Sequence, residues 1–229
     1  MKINQLEIKH KGDTLVDIAF EVKSSLALVG QSGSGKSLTL KSLLDMLPES
    51  MELNIKVDSA IKLGRNGDVS LVVQNPFTAL SPLTKIKKQF FVSRERIEQL
   101  FEELGLELAL LDRYPPELSG GQLQRVVIAI AISQKPKLLL LDEPTTALDP
   151  QTRINIIELL KELQKKEGFK MLFVTHDIAS AESLCEDICV IKLGKLVECG
   201  TMASIINDPQ NEYTKTLIEA NFANRKYRE

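Results

Sequence analysis

No stretch of this 229-residue chain is long and apolar enough to span a bilayer. Its longest purely apolar runs, such as VVIAIAI at 126–132, fall far short of the roughly 20 residues a membrane helix needs. The opening, MKINQLEIKHKGD, is charged and alternating, unlike a signal peptide. An excess of one charge is also missing: 29 Lys and Arg stand against 31 Asp and Glu, for a formal net charge of -2. No general attraction to nucleic acid or to an acidic membrane surface is expected from that balance. Cysteine is scarce. Cys185, Cys189 and Cys199 cannot all pair with one another. The spacing of the first two admits a metal, but their apolar flanks favour buried, reduced thiols in a cytosolic protein. There is no internal repeat or low-complexity tract. What remains is an ordinary soluble composition, 43% hydrophobic and 26% charged, in a chain long enough to bury a substantial core.

The apolar residues that are present change their rhythm along the chain. In DIAFEV, Ile18, Phe20 and Val22 alternate with Asp17, Ala19 and Glu21, the period of a half-buried antiparallel strand. Further on, LALV, LVV, LLLL and MLFV are continuous runs, as in parallel strands covered on both faces. DICVIKL reads as a last strand, turning at Gly194 into KLVECG. Helical patterns lie between the runs. Asp149 and Pro150 predict an N-cap and first helical residue, Ile156, Ile157, Leu160 and Leu163 one apolar stripe, and Gly168 its stop. From about 75 to 134 no strong strand is found. There SRERIEQLFEELG puts Ile97, Leu100, Phe101 and Leu104 on one helical face, and prolines occupy the connections. The reading is a mostly helical insertion in an α/β core.

Two stretches carry chemistry directly. LALVGQSGSGKS has the spacing G-x-x-x-x-G-K-S, with Gly30, Gln31, Ser32, Gly33, Ser34, Gly35, Lys36 and Ser37 between a buried strand and the amphipathic pattern SLTLKSLLDML. Glycines let the backbone approach phosphates. The loop N–H groups and the following helix N-terminus favour negative charge. Lys36 is expected to reach the β- and γ-phosphates, and the Ser37 hydroxyl to ligate Mg²⁺. The second stretch, LLLLDEP, puts Asp142 and Glu143 where a buried strand emerges. Adjacent carboxylates there suit a cation. Asp142 would face the metal, and Glu143, on the opposite side, would orient or deprotonate a water.

Together with these, the remaining motifs resemble, over nearly the whole chain, the nucleotide-binding subunit of an ATP-binding cassette (ABC) transporter. Walker A is Gly30 to Ser37, the Q-loop residue Gln74 in LVVQNPF, the signature LSGGQ with Ser119, Gly120, Gly121 and Gln122, and Walker B LLLLDE. The D-loop follows as Ala147 to Asp149 and the switch histidine as His176 in FVTHD. The resemblance implies an α/β fold: a P-loop NTPase cassette with a central mostly parallel sheet, an N-terminal antiparallel β subdomain and an inserted α-helical subdomain. It would be a single domain over 1–229, with its RecA-like core and β subdomain at 1–74 and 135–229 and the helical subdomain at about 75–134.

The resemblance also assigns roles. Two cassettes pack head to tail, so that Ser119, Gly120, Gly121 and Gln122 of one complete the ATP site of the other, with Asp149 at their interface. Gln74 completes the Mg²⁺ shell with Ser37 and Asp142 and senses the γ-phosphate. Glu143 is the general base, and His176 contacts the γ-phosphate and holds Glu143 and water in line. The implied partners are a second ABC ATPase subunit, identical or related, transmembrane permease subunits and, indirectly, an extracytoplasmic solute-binding protein. The implied location is the cytoplasmic face of the inner membrane, peripheral through the permeases.

QNPFTALSPL, YPPELSGGQLQR and the tail DPQNEYTKTLIEA resemble the group importing dipeptides, oligopeptides or nickel. The chain's short end favours the nickel or metal-chelate branch. One departure concerns the aromatic residue that stacks on adenine ahead of Walker A in the family. No Trp, Tyr or Phe stands there, Phe20 being the first aromatic, and His10 is the substitute candidate. Two other readings compete. A non-transport ABC ATPase acting on nucleic acid or the ribosome usually carries paired cassettes, coiled-coil insertions or basic surfaces, none of which the sequence has. A P-loop kinase has no use for LSGGQ.

Overall fold

A computed structural model describes residues 1–146 and 148–223. Along the chain run β1 (Lys2–His10), β2 (Asp13–Glu21), β3 (Ser25–Val29), α1 (Lys36–Leu43), β4 (Met51–Asp58) and β5 (Val69–Val72). A helical stretch follows, α2 (Pro76–Ala79), α3 (Arg94–Glu103) and α4 (Gly120–Ser133), with short 3-10 turns between them. Next come β6 (Leu138–Asp142), α5 (Pro150–Glu167), β7 (Lys170–Thr175) and α6 (Ile178–Leu184). The last are β8 (Asp187–Lys192), β9 (Lys195–Thr201), α7 (Met202–Asn207) and α8 (Glu212–Ala223). Packing divides the chain into two compact units, Met1–Val69 with Lys170–Glu229, and Ser70–Phe169.

In the first unit the strand order is β4-β1-β2-β9-β8-β3-β7. β3 lies between β7 and β8, parallel to both, and every residue of β3 is buried, as its continuous apolar run requires. β1 pairs antiparallel with β2 and β4. There Ile3, Leu6 and Ile8 are buried opposite the alternating Val16, Ile18 and Phe20 of β2. The sheet is therefore mixed, parallel around β3 and antiparallel toward the N-terminal strands. Lys11–Gly12 and Leu193–Gly194 close two-residue hairpins with φ of 53, 89, 47 and 76°, the double positive φ whose twist matches the strands they join.

Three local results depart from the sequence reading. α1 stops at Leu43, earlier than its apolar pattern suggests. Asp45 takes a left-handed φ of 54°, and Met46 N–H and Asp45 N–H return to the carbonyls of Lys41 and Ser42, a Schellman end made without glycine. β4 had gone unassigned. Cys189 and Cys199 are joined rather than reduced. They face each other across the β8–β9 ladder, Cα atoms 4.2 Å apart, and form a disulfide. Cys185 is a buried free thiol; burial, and then the carboxylates of Glu186 and Asp187, push its pKa well up.

The second unit holds the helical stretch with β5, β6 and α5. Ile97, Leu100 and Phe101 of α3 are buried, with Leu104 just beyond, and Phe101 meets Phe90 edge-on at 6.0 Å. Leu138 to Leu141 of β6 are fully buried. α5 begins on Asp149, whose side chain accepts from Thr152 N–H, and ends on Gly168 at φ 75°, as its sequence predicts. Arg96 pairs with Glu167 at 2.9 Å and Lys166 with Glu103 at 2.8 Å. These pairs fasten α3 to the end of α5. Among the described residues no helix is long and apolar enough to cross a membrane.

Candidate functional site

In the first unit the glycine-rich loop leaves the C-terminal end of β3 and enters α1 at Gly35. Gly35 has φ 105°, and a Cβ on it would stand 2.8 Å from Val16 Cγ2; one on Gly30 would run into the Ile191 carbonyl. Neither position leaves room for a side chain, so the backbone itself forms the wall. The Lys36 ammonium, on a largely buried residue, donates to the carbonyls of Gly30 at 2.7 Å and Gln31 at 2.9 Å. Gly194 N–H donates to the Ser34 carbonyl at 3.0 Å, bracing the loop from the β8–β9 hairpin. Ser34 Oγ is buried and has no hydrogen-bond partner. A buried, partnerless hydroxyl and an ammonium in one loop that opens a helix fit a phosphate chain. Gln31, Ser32, Gly33 and Ser37 are exposed around it.

His176 belongs to the same unit and the same edge. β3 and β7 pair in parallel with Val29 opposite Thr175, so Gly30 and His176 are the next residue on each of two adjacent strands. His176 is exposed, and the following Asp177 caps α6 by accepting from Ala179 N–H at 3.0 Å.

The second unit brings together the other predicted polar residues. Gln74 follows β5, Asp142 ends β6, and the two strands are neighbours. Glu143 turns out of β6 with φ 46°, a conformation costing a non-glycine residue about 1–3 kcal/mol. Its Oε2 accepts from Gln74 Nε2 at 3.3 Å and from Thr146 Oγ1 at 3.0 Å. Sequence reasoning missed Thr146; its signal is a turn three residues past Glu143, closed by Thr146 N–H on the Glu143 carbonyl.

The signature forms the N-terminus of α4. Ser119 Oγ accepts from Gln122 N–H at 3.3 Å, and Gln122 Oε1 from Ser119 N–H at 3.0 Å, a reciprocal capping box. A Cβ on Gly121 would come within 3.0 Å of Thr152 Cγ2, whereas one on Gly120 would meet nothing within 4 Å. The start of α4 thus lies against the first turn of α5. There the Asp149 carboxyl is held below its usual pKa by hydrogen bonds from the Thr152 side chain and backbone. Ala147 lies outside the described residues. His10, the candidate for stacking on the base, has its Nδ1 3.1 Å from the Ser50 carbonyl. Sequence reasoning also gave no role to Tyr213, whose hydroxyl accepts from Gln31 N–H at 3.2 Å.

Comparison with known proteins adds a family to this geometry. A family model described as ABC transporter matches residues 15–146. The dipeptide transport ATP-binding protein DppF of Haemophilus influenzae is 36% identical over 225 residues, 90% of this chain and 68% of that protein. The metal-staphylopine import system ATP-binding protein CntD of Staphylococcus aureus is 35% identical over 219 residues, 85% of this chain and 81% of that protein. The peptidoglycan transport ATP-binding protein YejF of Agrobacterium fabrum is 38% identical over 222 residues; the match spans 85% of this chain but only 41% of YejF. The solved structure of cbiO1 from Clostridium perfringens, part of the ABC transporter complex cbiONQ, matches with a TM-score of 0.77 at 25% identity. That match covers 99% of this chain and 96% of cbiO1.

Proposed function

The chain belongs to the ABC transporter family, as its ATP-binding cassette, and on that footing we propose that it hydrolyses ATP to drive import of a peptide or metal chelate. The observation that carries this is the loop at the end of β3, with the Lys36 ammonium laid over its own carbonyls and the Ser34 hydroxyl unpartnered. In this reading 1–229 is one cassette, its core at 1–74 and 135–229 interrupted by helices at about 75–134.

Ser37, Gln74 and Asp142 offer a hydroxyl, a carboxamide and a carboxylate, hard oxygen donors of the kind Mg²⁺ takes. Bound there, the ion would offset charge on the β- and γ-phosphates. Loop N–H groups and Lys36 bind the triphosphate, and His176 contacts its γ-phosphate. Glu143 accepts the proton of the attacking water. Gln74 and Thr146 donate to the same Glu143 oxygen and so orient that carboxylate. A change at Gln74 therefore reaches the base directly.

The signature supports a head-to-tail pair. Gly120 carries no positive φ and has open space around it, so nothing in its own surroundings requires glycine. A phosphate approaching from a second cassette does. Ser119 and Gly121 flank that approach, and Asp149 stands on the neighbouring turn. ATP held between two chains favours the closed pair by its differential affinity, and hydrolysis releases it. The partner is a second cassette, identical or related. Phe77 and Leu83, both exposed, would receive a permease, placing the chain peripherally at the cytoplasmic face of the membrane, with a solute-binding protein acting through the permease. The relatives named above carry a dipeptide, a metal-staphylopine and peptidoglycan in their names. Nothing beyond the sequence supports nickel in particular, so the broader class is proposed.

The test is Glu143→Gln. Mg-ATP binding is expected to persist while hydrolysis slows by about 10²–10⁴-fold, the usual weight of a general base. The variant, with its natural mate where there is one, is expected to dimerise in Mg-ATP. Unchanged turnover would remove Glu143 from the chemistry, and a monomer saturated with Mg-ATP would remove the motor.

A further inference from the structure

α8 makes two hydrogen bonds that reach different parts of the first unit. Near its start, Tyr213 accepts from Gln31 N–H at 3.2 Å across 182 residues of sequence. The Tyr213 ring lies 4.6 Å from the Lys192 ammonium at the end of β8. Near its other end, Asn221 Oδ1 accepts from Ile178 N–H at 3.1 Å, while Asn221 Nδ2 donates to the Leu217 carbonyl at 2.9 Å. The two contacts are eight residues apart, about 12 Å along a helix. Buried Leu217 and Ile218 between them hold α8 to the unit.

Each contact lands on a residue tied to the phosphate-facing chemistry. Gln31 is held from both sides: its N–H by Tyr213 and its carbonyl by Lys36 at 2.9 Å. Fixing that residue fixes one of the acceptors that position the lysine. Ile178 stands two residues after His176, and its N–H is one of those at the start of α6 that no helical carbonyl satisfies. Asp177 caps the next N–H, on Ala179. The turn bearing His176 is thus pinned by Asp177 from within and by Asn221 from α8.

Building on the ATP-binding reading, we propose that α8 is a strap that positions this site, with Tyr213 setting the Gln31–Lys36 end of the loop and Asn221 setting the turn that carries His176. Neither side chain needs to touch nucleotide. Both are positioning residues, and their effects separate. Loosening Lys36 weakens the hold on the triphosphate, whereas loosening the His176 turn misaligns a group that acts on the γ-phosphate.

The experiment measures Mg-ATP binding and steady-state hydrolysis for the whole chain and its variants, with thermal midpoints recorded alongside. Tyr213→Phe removes only the hydroxyl; it is expected to raise Kd and KM for ATP by about 3–10-fold with kcat within about twofold, the weight of one hydrogen bond. Asn221→Leu keeps the size and removes the acceptor; it is expected to lower kcat by about 3–10-fold at unchanged KM. Asn221→Asp keeps the acceptor oxygen for Ile178 N–H but loses the bond to the Leu217 carbonyl, and is expected to restore kcat in part. Wild-type values in either Tyr213→Phe or Asn221→Leu overturn the strap, as does a joint loss of kcat, affinity and thermal midpoint. A wild-type chain that does not bind Mg-ATP overturns the nucleotide reading and the strap with it; a wild type that binds, beside variants equal to it, overturns the strap alone.

Discussion

Gln124 has no exposed surface, and neither its amide nitrogen nor its oxygen has a hydrogen-bond partner. It stands in α4, two residues past the LSGGQ stretch, among buried Leu123, Val126 and Val127. An unsatisfied buried polar group costs about 1–3 kcal/mol. Gln124→Met has nearly the same shape without the amide, and is expected to raise the unfolding free energy by about 1 kcal/mol in a urea titration. A lower midpoint would mean that the amide is satisfied within the folded chain by a bound water. At this scale the sequence is most readable where a residue acts on its immediate neighbours. Ser119 and Asp149 cap the helices that follow them, and Lys36 bonds within its own loop. Tyr213 could not be read in the same way, because its partner lies 182 residues away and no local pattern marks it.

Among the elements, the link between α7 and α8 depends on Glu198 of β9, whose carboxylate accepts from Gln210 N–H at 2.8 Å and Asn211 N–H at 3.1 Å. Partial burial pushes the Glu198 pKa up, but the hydrogen bonds donated to it prevail and hold it below the ordinary glutamate value. A carboxyl depressed by folding adds stability that is complete above its unfolded pKa and is lost as pH falls through the folded one. Wild type and Glu198→Gln are therefore expected to differ most in unfolding free energy near neutral pH, and to converge in acid below the ordinary glutamate range. A gap that does not change with pH would deny the carboxylate this role. Element boundaries were legible where they have local markers: Asp149 and Gly168 delimit α5, and the apolar runs locate β3, β6 and β7. α1 defeated that approach because Asp45, not glycine, takes its left-handed end. β4 alternates Met51, Leu53, Ile55 and Val57 between polar residues, so its signal was present but diluted by half-exposure. The disulfide depends on register, which only the paired β8 and β9 reveal.

For the whole molecule, assembly is where a change invisible to folding becomes visible. Gly120→Ala places its methyl in open space within the chain, so the thermal midpoint is expected to stay put. In a Glu143→Gln background the same change is expected to weaken Mg-ATP-dependent pairing by on the order of tenfold, about 1.4 kcal/mol, measured by sedimentation. Pairing as strong as in the parent would take Gly120 out of the contact between cassettes. Most of the architecture was readable at this scale because the motifs occur in a fixed order. The proposed cargo was not, because relatives whose names give different cargoes match this chain over similar lengths. The two hairpins make a last distinction that matters to anyone tagging this protein. Lys11–Gly12 and Leu193–Gly194 have the same turn geometry, but a Cβ on Gly12 would meet nothing within 4 Å, while one on Gly194 would run into the Leu15 carbonyl, and Gly194 N–H braces Ser34. An epitope spliced between Lys11 and Gly12 is expected to leave ATP affinity intact, and the same epitope between Leu193 and Gly194 to abolish it. Loops of equal length and shape therefore differ completely in how far they can be edited.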